Sequence, residues 1–378
     1  MPRSLTAAPK TTVPFLDLVA PHRALEAELV TAFRRALESA SFVGGVEVAA
    51  FEREFAAFIG SPGAVAVNSG TDALRFAYQA LGVRPGDEVI TVPNTFIATT
   101  EALSQAGATI RFVEVREDTL TIDPEAAAAA VGPRTVGIVP VHLYGQMAEM
   151  APLLDLAAQR GLWIVEDAAQ AHGASDQGRH AGTQGALGAF SFYPGKNLGA
   201  CGEGGAVVAP SEAHRATVRR LREHGQSSKY VHETEGYNGR MDAIQAAFLR
   251  IKLRHLSEWN AARRRAAELY RKALVDVPGV RLPVERPGAV HVYHLFVIRA
   301  ERRDALQQHL AARGIGTGLH YPVPLHLQAA YSGLGLGAGS FPVTEAAARD
   351  ILSLPMFPEL TADQIGIVAD AIREFYRS

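Results

Sequence analysis

Three short stretches carry side chains that could act together. The first, Ser191-Phe-Tyr-Pro-Gly-Lys196-Asn-Leu-Gly, sets one lysine just past a predicted strand, in a segment too glycine-rich for a helix. An amine so placed can face a cleft and, once deprotonated, attack an aldehyde to form a Schiff base. A solvated lysine beside a turn has the same sequence appearance. The second, Leu162-Trp-Ile-Val-Glu-Asp167, ends an apolar strand in two acids and continues through Gln170 to His172. Ligands of open α/β sheets sit beyond the carboxyl ends of strands, where Asp167 would lie, although an acid there can equally cap a helix. The third, Asn68-Ser-Gly70-Thr71-Asp-Ala-Leu74, joins a strand to a helix through small polar residues. Free N–H groups at such a helix start suit a phosphate, and a plain Thr or Asp cap is the simpler alternative. The glycine spacing matches neither a Walker loop nor a dinucleotide fingerprint.

The elements that must hold these stretches follow from the pattern around them. Between about Ala64 and Ala209, short β-branched runs alternate with alanine-rich helical stretches, which predicts a mainly parallel sheet between helices. The predicted strands are Val65–Asn68, Glu88–Val92, Thr109–Val113, Val136–Pro140, Leu162–Glu166, Ala189–Tyr193 and Gly205–Ala209. Predicted helices lie between them at Asp72–Leu81, Thr99–Gln105, Pro124–Val131 and Ala151–Arg160. Glu26–Ser39 and Val48–Ile59 read as amphipathic helices outside the sheet, parted by Gly44-Gly45. Asp242 to about Ala273 is strongly helical, followed by a β-rich Val290–Arg299, a helical Arg302–Arg313 and a loop at Gly333–Ser340. The change of texture sets an expected division into a loose tail over 1–12, a large domain over 13–255 and a smaller α+β domain over 256–378.

The bulk numbers narrow the function. With 37 Lys plus Arg against 39 Asp plus Glu, the net charge is -2 and no long run of one sign occurs, which argues against a nucleic-acid or polybasic membrane partner. Apolar runs are too short to span a bilayer, and the N-terminus lacks the apolar core of an export signal. The single cysteine, Cys201, excludes an intrachain disulfide and a Cys-based metal site. No metal is expected, and His320 with His326 lacks catalytic zinc spacing. A cytoplasmic location is the expectation.

Taken in order, the three stretches resemble fold-type I pyridoxal-phosphate (PLP) enzymes, specifically the DegT/DnrJ/EryC1/StrS sugar aminotransferases. The resemblance runs from Pro14 to about Pro358. Further signposts are Phe42-Val-Gly-Gly-Val-Glu-Val48, Pro93-Asn-Thr-Phe-Ile-Ala-Thr99, His142-Leu-Tyr-Gly145, Asn238-Gly-Arg-Met-Asp-Ala-Ile-Gln245 and His320-Tyr-Pro322.

The resemblance implies that Lys196 is the Schiff-base lysine and that Asp167 pairs with the pyridine nitrogen. It further implies phosphate contacts from Gly70, Thr71 and Ser191, stacking of Phe96 on the cofactor ring, and reach of Gln170 to its phenolic oxygen. Asn238 is the residue a neighbouring subunit would lend to the phosphate, so a homodimer with shared sites is expected. Tyr193, His320 and Tyr321 match positions lining the sugar site. For His320, a hydrogen-bonded histidine in a domain interface is the competing reading.

Lys196-Asn-Leu-Gly-Ala resembles enzymes aminating C3 of a nucleotide-linked 3-keto-6-deoxyhexose, whereas C4 enzymes usually carry His-Pro-Val-Lys or Lys-x-Ile-Thr-Thr. The implied reaction takes the amino group from L-glutamate, carries it on pyridoxamine phosphate and delivers it to a dTDP-linked keto sugar. Amination of a keto-inositol or other cyclic ketone, and a PLP-binding regulatory protein without turnover, are the alternatives.

Overall fold

The computed structural model describes residues 13–377; the tail expected over 1–12 falls outside the described residues. Seven strands form one sheet: β1 (Ala64–Val67), β2 (Glu88–Thr91), β3 (Thr109–Phe112), β4 (Thr135–Ile138), β5 (Trp163–Asp167), β6 (Leu187–Ser191) and β7 (Gly205–Val208). Their spatial order is β1-β7-β6-β5-β4-β2-β3. Strands β6, β5, β4, β2 and β3 pair in parallel. β7 runs antiparallel to both its neighbours, β1 and β6.

Alternate residues along these strands enter different cores, so both faces are covered. Ala64, Ala66, Ile164, Phe190 and Val208 join one apolar cluster, while Val65, Val67, Val165, Ala189 and Val207 join another. This explains near-continuous apolar strands in place of alternating ones.

On the first face lies α2 (Gly45–Phe58), preceded by the outer helix α1 (Glu26–Ser39). Phe55 meets Phe190 and Phe192 edge-on at 5.1 and 5.2 Å, and Phe51 meets Phe192 at 5.3 Å. α2 therefore lies outside the sheet, as expected, yet is part of its core, and it begins three residues earlier than predicted. On the second face lies α3 (Gly70–Ala80), whose Leu74, Phe76 and Ala77 are buried. α4 (Ala98–Gln105), α5 (Pro124–Ala130) and α6 (Met150–Arg160) complete the crossovers, and α7 (Glu212–Arg222) follows the last strand.

The helical run from Asp242 divides into α8 (Ala243–Leu253) and α9 (Leu256–Leu274), with the break at Arg254-His255. Beyond it, β8 (Val280–Arg281), β9 (Phe296–Ala300) and β10 (Ile351–Leu354) form an antiparallel sheet in the order β8-β9-β10. With α9, α10 (Arg303–Ala312) and α12 (Ala362–Arg377) it encloses a third core, containing Tyr270, Phe296, Leu306 and Ile372. α11 (Pro342–Asp350) and the segment before it pack back on the large sheet's side: Leu325, Tyr331 and Phe341 belong to the cluster that holds Val65 and Leu74. The expected loop at Gly333–Ser340 begins as the end of a 3-10 turn, Ala329–Leu334.

Candidate active site

The carboxyl ends of β1, β5 and β6 meet at one edge of the sheet, and each delivers one of the three stretches. At the end of β1, Ser69 caps α3: its hydroxyl accepts the Asp72 N–H at 3.1 Å. The cap is thus Ser69, neither Thr71 nor Asp72, and the Gly70 and Thr71 N–H groups lie in the first turn, where no intrahelical carbonyl can reach them. Gly70 lies flush on β6, because a Cβ there would be 2.5 Å from the Ser191 Cβ. Gly205 on β7 is equally required, since a Cβ would meet the Ser69 carbonyl oxygen at 2.2 Å. Gly70 and Ser191 therefore lie in contact, with Thr71 next along the helix start.

Asp167 ends β5 with its side chain buried. The Thr99 hydroxyl donates to its Oδ2 at 2.7 Å, and the Ala169 N–H donates to Oδ1 at 3.2 Å. Burial pushes its pKa upward, opposed by these bonds and by Lys196. Glu166, its neighbour, faces the opposite side of the strand. There Oε1 accepts the Gln184 and Gly185 N–H groups, both at 2.6 Å, and Oε2 accepts the Gly182 N–H at 2.8 Å. His142 completes this set at 2.8 Å through Nε2, while its Nδ1 accepts the Ala148 N–H at 3.2 Å. An accepting Nδ1 leaves the proton on Nε2, which donates to Glu166.

Lys196 follows a turn closed by its own N–H to the Tyr193 carbonyl at 2.8 Å. Some of its surface stays open, yet enough protein surrounds it that desolvation lowers its pKa to about 8, with Asp167 opposing that fall. Asn197 clamps the loop: its Nδ2 donates to Asn260 Oδ1 at 2.8 Å and to the Val292 carbonyl at 3.0 Å. Asn260 in turn donates to the His172 carbonyl at 2.8 Å. A cavity of about 40 Å³ opens on Lys196, whereas a larger groove, about 920 Å³, lies between α1, α2 and α8, away from this chemistry.

Gln170 accepts the Tyr144 N–H at 2.7 Å and donates to the Tyr321 hydroxyl at 3.2 Å. The Tyr144 hydroxyl donates to the His320 carbonyl. Phe96 is 54% exposed, with its ring tilted 5.8 Å from that of Tyr321. His320 stacks on Phe15 at 5.7 Å and shares a hydrogen bond of 2.8 Å with Ser353. Burial and the charge of Lys196 lower its pKa to about 4, so it is neutral at pH 7. Tyr193 is 55% exposed beside the lysine turn. The structure thus brings Gly70 and Ser191 into contact, with Thr71 next along the helix start, and links Gln170, Tyr321, Tyr144 and His320 through hydrogen bonds. Asn238 stands apart, exposed and accepting from Arg240 at 2.6 Å.

Three contributors escaped the sequence reading: Thr99, Tyr144 and Asn197. Tyr144 holds a φ of 62°, rare for an aromatic residue, and only its contacts reveal why.

Residues 23–373 match the DegT/DnrJ/EryC1/StrS aminotransferase family. The chain belongs to that family. A Streptomyces venezuelae relative, dTDP-3-amino-3,4,6-trideoxy-alpha-D-glucose transaminase, is 50% identical over 96% of both chains. The crystal structure of S. venezuelae DesV in complex with a ketimine intermediate superposes with a TM-score of 0.95 at 50% identity, covering 97% of this chain and 99% of that one. Bacillus subtilis NtdA with bound cofactor PMP gives a TM-score of 0.91 at 29% identity, over 97% of this chain and 86% of that one. The protein is an aminotransferase with the fold-type I architecture, and its cofactor is PLP.

The residues present fit that group. A cradle that excludes any side chain at Gly70 suits a phosphate, an amine with its pKa lowered to about 8 suits an aldehyde, and a buried carboxylate suits a ring nitrogen.

Proposed function

We propose that this aminotransferase moves an amino group from L-glutamate to C3 of a dTDP-linked 3-keto-6-deoxyhexose. The observation that carries the reading is Lys196: a lowered-pKa amine facing a buried Asp167, beside a cradle pressed onto Ser191. The substrate class is supported by the half-identity to the S. venezuelae dTDP-sugar transaminase over nearly the whole chain.

When bound, PLP supplies an aldehyde to take up the amino group and a ring to spread the charge of the carbon that loses a proton. Lys196 Nζ would anchor the cofactor and, once freed, would take a proton from the donor carbon in one half-reaction and give one to the sugar carbon in the other. The Asp167 carboxylate holds a proton at the ring nitrogen. Gly70, Thr71 and Ser191 would hold the phosphate, and Phe96 would stack on the ring. Gln170 would reach the phenolic oxygen, while Tyr193, His320 and Tyr321 would line the sugar site. A neutral His320 presents a hydrogen-bonding ring without repelling Lys196.

We further propose a cytoplasmic homodimer in which Asn238 serves the neighbouring site. Exposed Phe33, Leu37, Phe42, Val43 and Val46 flank the groove beside α1 and α2 and supply an apolar face for a second copy. Among the described residues no helix is long and apolar enough to cross a membrane. The division at residue 255 is proposed on the helix break at Arg254-His255.

The test is a substrate panel with glutamate as donor: dTDP-linked 3-keto and 4-keto 6-deoxyhexoses and a keto-inositol. The reading requires the 3-keto sugar to give the highest kcat/KM, and a preference for the inositol or the 4-keto sugar would overturn it.

A further inference from the structure

We propose that a relay of two threonine hydroxyls, Thr95 to Thr99 to Asp167, fixes the carboxylate that holds the proton on the cofactor's ring nitrogen. This rests on the reading of Asp167 given above.

The relay's direction follows from proton counting. Thr99 Oγ1 lies 2.7 Å from Asp167 Oδ2, and Thr95 Oγ1 lies 2.7 Å from Thr99 Oγ1. An ionised carboxylate has no proton to give, so Thr99 donates its only hydroxyl proton to Asp167. Its oxygen is left as acceptor, and Thr95 must be the donor. Thr95 is 2% exposed and Thr99 1%, so no bulk water competes for these bonds. Donors aligned in this way polarise one another, and the low dielectric strengthens each bond.

The same turn explains how a short segment does two jobs. Thr95 and Thr99 are four residues apart where the chain enters α4, with Phe96 between them. The hydroxyls point into the protein while Phe96 turns outward. Around Asp167 the charged or titratable neighbours are Lys196, His142, Tyr78 and Tyr321. Of the influences favouring the ionised form, the Thr99 bond is the largest, ahead of the Ala169 N–H and Lys196. Thr99 and Thr95 are positioning residues: they act through Asp167.

The experiment uses holoenzyme carrying PLP labelled with ¹⁵N in the ring, in the wild type and in Thr99→Val, Thr99→Ser, Thr95→Val and Asp167→Asn. Two quantities are read: the ring ¹⁵N chemical shift, and the Kd of PLP for the apoprotein. We expect Thr99→Val to move the shift toward the unprotonated nitrogen and weaken PLP about tenfold, the scale of one lost hydrogen bond to a charged group. Thr99→Ser restores both, and Thr95→Val moves both part of the way. A folded Thr99→Val with the wild-type shift, when Asp167→Asn does move it, overturns the relay and leaves the Asp167 reading intact. An unmoved shift in Asp167→Asn sinks that reading and the relay with it. Should Thr99→Val not fold, Thr95→Val decides alone: an unchanged shift there overturns the relay.

Discussion

Asp167 and Lys196 act on each other's charge: the carboxylate favours a protonated Lys196, and the ammonium favours an ionised Asp167. Burial opposes both charges and prevails at both, raising the Asp167 pKa and lowering that of Lys196 to about 8. At pH 7 this leaves roughly 300-fold more neutral amine than an ordinary lysine would offer.

The first prediction concerns pH. Because the Lys196 pKa is lowered, its reactive neutral form dominates above about pH 8 and is lost below it. The rate at which apoprotein takes up PLP, followed by visible absorbance, should rise about tenfold per pH unit and level off near pH 8. A rise that continues past pH 10 would show an unperturbed amine.

Replacing the amine removes its chemistry altogether. Lys196→Ala should lower transamination by at least about 10³-fold and abolish the cofactor adduct trapped by borohydride, as read by mass spectrometry of the intact chain. Full-stoichiometry labelling of the variant would refute the assignment.

The cradle is sensitive to a single methyl group. In Gly70→Ala the added Cβ falls 2.5 Å from the Ser191 Cβ, so the turn must lift off β6. PLP affinity should fall at least tenfold, with about 1–3 kcal/mol of stability lost to overpacking. Titration with PLP and denaturant unfolding measure the two effects separately.

Glu166 tests the far side of the same strand. Fully buried, it receives three backbone N–H groups and His142. Glu166→Ala strands all four donors and should cost about 3–5 kcal/mol of stability, seen as a large fall in the unfolding midpoint.

Asn238 tests the shared site. Asn238→Ala should weaken PLP binding about tenfold, the scale of one hydrogen bond to a charged group. In mixed dimers with Lys196→Ala chains, one site per dimer should regain tight PLP. A monomer in sedimentation that keeps full PLP affinity would refute the proposal.

Much of the scaffold could be read from the chain. All seven strands of the large sheet lie within two residues of their predicted limits, because burial on both faces leaves compact apolar runs bounded by polar turns. Lys196, Asp167 and Gly70 were legible for the same reason, since each sits where such a run ends.

What was hidden depends on contacts distant in sequence. Thr99 reaches Asp167 across the sheet, and Asn197 finds Asn260 in another part of the fold. Neither partner is marked by local spacing. The break between α8 and α9 was hidden too, as no glycine or proline signals it. Just before it, the buried Lys252 donates to the Gly199 carbonyl at 2.7 Å, a contact no helical pattern announces.

Strand β1 touches the large sheet only through β7, which is the last of the seven to be made. During synthesis the turn proposed to hold the phosphate must therefore wait, its strand unpaired, until more than half the polypeptide has left the ribosome. Pairing of this kind closes a long loop and forms slowly. Cofactor capture is thus a late event in the birth of this enzyme, and a nascent chain halted before Gly205 would carry its lysine without a place to seat the phosphate.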